Sequence, residues 1–332
     1  NSRIQNVKGS RYFMAIMQLK TKKWRLLSGL GLACSLFLSA CGEDDLFGPL
    51  LDQPPTEVKL SGEDQQAAAA TAMHIYMIGS DLEDGGGDPE RGGAGSADLM
   101  EIVDGFQALS AEQQQNVSVF VGFGGANKAG WQGVRYADMP CLIEDAADGS
   151  FGNASCYSYK DETANMGDHT TLSAFLAASQ SHRQDGDKST LIFWDHGASY
   201  LGIGPDMNYP EDGTLTMEDF TQSLSTLDRP YDMIGFDACL MASLEVAQTV
   251  HPFADYMVAS EELEPGHGWD YEDLIGFAGA NPQASPLGLG KKFVSSFIQS
   301  PKHDSPASNI KTLSLVDLKK YAPVEAALSS LA

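Results

Sequence analysis

Six short, largely apolar runs set what this chain can fold into. They are Met73–Gly79, Val117–Gly122, Thr190–Trp194, Met233–Phe236, Tyr256–Ala259 and Thr312–Val316. A strand with one wet face alternates apolar and polar residues, whereas a strand apolar on both sides must be covered on both sides. Between the runs, Ala97–Leu109, Thr170–Gln180, Met217–Leu227, Leu240–Thr249 and Leu287–Gln299 carry apolar residues at helical spacing. Strand–helix–strand crossovers make successive strands parallel, because a parallel pair cannot be joined by a tight turn. The predicted class is therefore α/β, a three-layer sandwich with a mostly parallel central sheet and helices on both faces. Trp131–Tyr136 and the stretch around Cys141–Tyr159 depart from that alternation and read as a small hairpin, with Asp148-Gly149 as a turn signal.

The sandwich accounts for only part of the 332 residues. Residues 1–41 read as export apparatus. The chain opens on Asn1, so the start of translation is expected at Met14 or Met17. Lys20, Lys22, Lys23 and Arg25 precede the apolar stretch Leu26–Leu38, the basic and hydrophobic regions of a secretory signal. That stretch is too short for a comfortable membrane span. Leu38-Ser39-Ala40-Cys41-Gly42 resembles the lipobox of bacterial lipoproteins, which implies cleavage before Cys41 and a lipid on its thiol. Residues 42–72 are polar, contain Pro54-Pro55 and have almost no aromatics, as expected of a flexible tether. Residues 73–332 form the expected folded domain. The terminal helix, Lys319–Ala332, stops without a cap signal, so either the protein ends there or, as expected, the sequence is a fragment of a longer one.

Charge excludes one class of function. The chain carries 21 basic and 45 acidic residues, a net −24, and seven of the basic residues lie in the acid-free first 40 positions. The remainder stands at −31. A domain of that charge repels nucleic acid and anionic membrane surfaces.

Five cysteines remain to be placed: 34, 41, 141, 156 and 239. Cys34 leaves with the signal and Cys41 takes lipid. Cys141 and Cys156 flank a turn in an exported protein, where they form either a disulfide or two free thiols. Cys239 sits where the run Met233–Phe236 ends, and helix Leu240–Thr249 is expected to start directly after it. A thiol there is expected to feel the positive end of the helix dipole, which favours the thiolate. The previous run, Thr190–Trp194, ends in Asp195-His196-Gly197. If the two strands are neighbours, roughly 4.8 Å apart, His196 and Cys239 face each other at the carboxyl edge of the sheet, where open α/β sheets place their sites. An imidazole there takes a thiol proton and returns it to a leaving amine. Among the other histidines, His74 lies inside a strand, and His182, His251 and His303 read as surface residues. His267, in Gly266-His267-Gly268, is the rival candidate for the base. No histidine pair has metal-ligand spacing, and no P-loop, dinucleotide fingerprint or nucleophile elbow is present.

The segments Ile75-Tyr76-Met77 with Asp81-Leu82-Glu83, Asn165-Met166-Gly167-Asp168, Trp194-Asp195-His196-Gly197, Phe236-Asp237-Ala238-Cys239-Leu240-Met241 and Val258–Glu262 with Glu264–Trp269 together resemble the clostripain-like cysteine peptidases. That family shares a caspase-like fold with gingipains, legumains and caspases. The resemblance implies His196 as general base and acid and Cys239 as nucleophile. It also implies the backbone N–H groups of Gly197 and Cys239 as oxyanion hole, and Asp237 as the carboxylate that receives an Arg or Lys side chain before the scissile bond. Read without the resemblance, Asp237 is a helix-capping acid. Substrates would be proteins or peptides with such basic residues. No cofactor is expected to be required; the resemblance leaves room for calcium, which the sequence does not support, since the acidic loops Asp81–Glu90 and Asp206–Asp219 lack EF-hand spacing. Between the catalytic His and Cys, the sole basic residue is Arg229, followed by Pro230, so no self-cleavage is expected there; Arg183 or Lys188 are the alternative places for an activating cut. The competing expectation is a surface-binding lipoprotein that keeps the fold without the activity.

Overall fold

The computed structural model describes residues 59–87, 92–300 and 311–331. The predicted signal, Cys41 and most of the tether lie outside them. Eight strands form one sheet: β1 (Thr71–Ile78), β2 (Val117–Gly124), β3 (Val134–Asp138), β4 (Tyr159–Asp161), β5 (Lys188–Trp194), β6 (Tyr231–Asp237), β7 (Ala254–Ala259) and β8 (Ser314–Asp317). Their order is β4-β3-β2-β1-β5-β6-β7-β8. The five central strands are parallel, β3 and β8 run antiparallel to them, and β4 pairs antiparallel with β3 at the edge.

The helices are α1 (Ser80–Asp84), α2 (Ala94–Gln107), α3 (Ala111–Gln114), α4 (Met139–Asp145), α5 (His169–Gln180), α6 (Met217–Leu224), α7 (Leu244–Val250), α8 (Tyr271–Ala280), α9 (Pro286–Gln299) and α10 (Tyr321–Ser329). The continuous apolar runs resolve into two cores, because successive side chains of a strand point to opposite faces. Met73, Ile75, Met77, Ile192, Trp194 and Met233 join Leu99, Ile102, Leu274, Leu289 and Phe293 on the α2–α8–α9 face. Tyr76, Ile78, Leu191, Phe193, Ile234 and Phe236 join Leu172, Phe175, Phe220 and Val246 on the α5–α6–α7 face. The three-layer α/β expectation holds.

Three local expectations change. Helix α8 carries Gly276 and Gly279, which weaken its sequence signal, yet it packs against α2 so closely that a Cβ on Gly105 would meet the Glu272 carbonyl oxygen at 2.7 Å. The expected hairpin is a strand pair, β3 and β4, separated by α4. Asp138 caps that helix by accepting from Cys141 N, and a Cys141–Cys156 disulfide closes the loop behind it. The polar segment expected to be a tether through residue 72 is already held by the domain at its far end: Gln66 N donates to Gln283 O at 2.8 Å, and Lys291 Nζ reaches Asp64 Oδ1 at 2.6 Å. Among the described residues no helix is long and apolar enough to cross a membrane.

Candidate active site

Strands β5 and β6 are hydrogen-bonded neighbours in register, Trp194 opposite Asp237. Two residues further along each chain stand His196 and Cys239, the pair expected from sequence. Their loops touch through backbone: a Cβ on Gly197 would lie 2.0 Å from the Cys239 carbonyl oxygen and 2.9 Å from its nitrogen. Only glycine permits that approach. The peptide groups expected to form the oxyanion hole are thus brought together at one place.

The expectation for the helix dipole fails. Leu240 takes a left-handed φ of 67°. Leu240 N donates to Glu262 O, Ala242 N donates to Ser260 O, and the helix begins only at Leu244, capped by Ser243. Residues 240–243 follow the loop after β7 instead of helical geometry, so Cys239 is not at a helix terminus. Its thiol is accordingly raised above the ordinary range, by burial first and then by the Asp237 and Asp195 charges, with the Glu264 N–H opposing. That N–H reaches Cys239 Sγ at 3.3 Å.

His196 is half-buried, and its Nε2 lies 2.7 Å from Asp81 Oδ1. Burial alone would depress the imidazole; the Asp81 hydrogen bond and the charges of Asp195 and Asp81 outweigh it, so its pKa stands above the ordinary value. Asp195, beside it, is fully buried and raised to about 7. The rival base His267 is exposed on the loop after β7. His74 is a core residue, its Nδ1 2.7 Å from Tyr231 Oη and its pKa lowered to about 3 by burial.

Asp237 ends β6 fully buried, and it caps no helix. Its Oδ2 accepts from Trp269 N at 3.2 Å and from Tyr271 Oη at 2.9 Å, and burial raises it to about 6. Glu264 interacts with it directly and is raised well above the carboxylate range, by burial and by the Asp237 charge. Both Glu264 oxygens are buried, and the carboxyl group stands against the Asp237 carboxyl and the Trp269 side chain. Two carboxylates, both acceptors, share a space that calls for a proton or a cation. The sequence offered no signal for Glu264's place here beyond its position in a Gly- and Pro-rich loop.

No group of three or more His, Cys, Asp or Glu fit to hold a metal ion occurs among the described residues. In the second acidic loop, Asp206 spends its oxygens on Met166 N, Asn208 N and Asn208 Nδ2.

The sequence profile of the Clostripain family matches residues 88–332. The chain belongs to the clostripain family. Clostripain from Hathewaya histolytica is 28% identical over 205 residues, which are 51% of this chain and 39% of that protein, so the chain spans well under two thirds of its clostripain relative. The fold is also that of a secreted C11 cysteine protease from Bacteroides thetaiotaomicron solved with an irreversible peptide inhibitor, with TM-score 0.58, 20% identity, and 78% and 69% of the two chains covered. An inactive zymogen C11 protease from Parabacteroides distasonis gives TM-score 0.54 at 19% identity, covering 79% of this chain and 65% of that one.

Proposed function

We propose that this clostripain-family protein is an exported, lipid-anchored cysteine endopeptidase that hydrolyses peptide bonds after Arg or Lys. The observation that carries the reading is the meeting of His196, Gly197 and Cys239 at the carboxyl ends of β5 and β6, beside a fully buried Asp237.

The raised thiol means that the resting nucleophile is neutral, so proton transfer accompanies attack. His196 takes the Cys239 proton as Sγ bonds to the carbonyl carbon. The oxygen, now negative, is held by the Gly197 and Cys239 N–H groups, whose help grows as charge develops. The C–N bond breaks, His196 hands its proton to the leaving amine, and a thioester remains. Water then attacks that thioester with His196 as base, the S–C bond breaks, and the thiol is restored. The preference for a basic side chain follows from Asp237 and Glu264. A guanidinium or ammonium group supplies the positive charge that two adjoining buried carboxyl groups call for.

The test uses a form beginning after Cys41, assayed on matched fluorogenic peptides ending in Arg, Lys, Leu or Asp beside Cys239→Ala. Cleavage after Arg or Lys that vanishes in the variant supports the reading. Cleavage after another residue removes the Asp237 assignment. With no cleavage at all, a thiol-reactive affinity label separates an uncut zymogen, which labels after proteolysis, from a binding lipoprotein, which never does. Anchoring is tested by detergent-phase partition of the full chain, which Cys41→Ala should abolish.

A further inference from the structure

The carboxyl end of β1 turns straight into the site. Ser80 takes a left-handed φ of 45°, and its Oγ donates to Asp195 Oδ1 at 2.6 Å. Asp81, the next residue, places Oδ1 2.7 Å from His196 Nε2. Two consecutive residues after β1 thus grip two consecutive residues after β5, on the strand directly beside it.

We propose that Asp81 is a positioning residue of the catalytic group, making Cys239, His196 and Asp81 a working unit of three; this rests on the Cys239–His196 reading above. A neutral imidazole carries one N–H and one lone pair, and an ionised carboxylate can only accept. The Asp81 contact therefore fixes the proton on Nε2 and leaves Nδ1 as the nitrogen that exchanges a proton with the thiol. When His196 becomes imidazolium, Asp81 holds a full negative charge against it at hydrogen-bond distance. The His196 bond keeps the Asp81 carboxyl below its ordinary range, so the charge is in place at neutral pH. Ser80 supplies the rigidity, because its bond to Asp195 ties the two loops independently of the imidazole.

The experiment compares the native chain with Asp81→Ala, Asp81→Asn, His196→Ala and Cys239→Ala on an Arg- or Lys-ending peptide across pH. The charged groups acting on His196 are Asp81 from the β1 loop and Asp195 beside it; Cys239 stands in the adjoining loop after β6, its thiol under the charges of Asp237 and Asp195. Neutral His196 is the active base, so activity rises with pH through its pKa. Removing the Asp81 charge lowers that pKa and moves the acidic limb of kcat/KM to lower pH in both variants. Asp81→Ala loses about 100-fold in kcat with KM little changed. Asp81→Asn, which can still accept from Nε2, recovers about tenfold of the loss. Matching melting curves for the Asn variant exclude a folding defect. If Asp81→Ala keeps kcat within threefold, or neither variant moves the acidic limb, while His196→Ala and Cys239→Ala are dead, the proposal falls and the dyad stands. Activity surviving in Cys239→Ala overturns both.

Discussion

Gly197→Ala puts the proposed oxyanion hole to its most direct test. The added Cβ would stand 2.0 Å from the Cys239 carbonyl oxygen, where real Cβ atoms essentially never come nearer than 3.0 Å. At least 1 Å of separation must open between the two loops, and the atom in the way is backbone, so no side chain can swing aside. The same two peptides are expected to hold the oxyanion, and a misplacement of about 1 Å at reacting atoms costs on the order of 100-fold. The expected result is a fall of about 100-fold in kcat/KM on an Arg-ending peptide. The control is Gly276→Ala in α8, where an added Cβ meets nothing within 4 Å. That change should leave activity untouched and stabilise the helix by up to about 1 kcal/mol, or about 2–4 °C in Tm for a domain of this size. Both variants are read by initial rates and by melting. A Gly197→Ala enzyme within threefold of native kcat/KM would refute the reasoning, since the loops would then have separated without consequence for the chemistry.

Loss of the Cys141–Cys156 bridge in Cys141→Ser/Cys156→Ser should lower unfolding free energy by about 3 kcal/mol, the loop-entropy value for 15 residues, read by urea denaturation. Asp237 is raised to about 6 and must be ionised to bind a cation, so inhibition by benzamidine should weaken by up to tenfold per pH unit below about 6; a flat inhibition constant from pH 5 to 8 counts against the pocket. N-terminal sequencing of purified protein should find no cut after Lys188 or between His196 and Cys239. Lys188 opens the central strand β5, and its Nζ is tied to the Pro282 and Ala284 carbonyls, so that bond cannot extend into another active site. Arg183, in the loop before β5, is held in the same way, its guanidinium on the Pro230 carbonyl oxygen and beside Asp232, so no cut is expected after it in the folded chain, and a chain break after Arg229 would sink this.

What could be read in advance followed from side-chain polarity along the chain. Strands buried on both faces announce themselves as unbroken apolar runs, and the spacing of Trp194-Asp195-His196 and Phe236-Asp237-Ala238-Cys239 fixes register once β5 and β6 are adjacent. Positions set by long-range backbone contacts were not legible. Leu240–Thr249 has helical spacing, yet Glu262 and Ser260 capture the Leu240 and Ala242 amides and delay the helix to Leu244, removing the dipole expected at Cys239. Helix α8 hides behind Gly276 and Gly279, which weaken its helical signal, while the close approach to α2 is made at Gly105 on the other helix. Asp81 and Glu264 meet their partners across 115 and 27 residues of chain, distances over which composition carries no signal.

Residue 264 meets the site through two unrelated atoms. Its amide touches the Cys239 sulfur, while its carboxyl group shares the buried space beside Asp237. In the pocket proposed above, substrate choice and nucleophile environment would therefore be mechanically linked, and a redesign of selectivity at this position would disturb turnover unless the loop kept its path. Asp237 offers the cleaner handle. It is mounted on β6, a strand hydrogen-bonded on both sides, so its carboxyl can be exchanged with little freedom for the backbone to follow. Attempts to retarget such an enzyme would do best to alter the strand residue first and the loop residue only through its side chain.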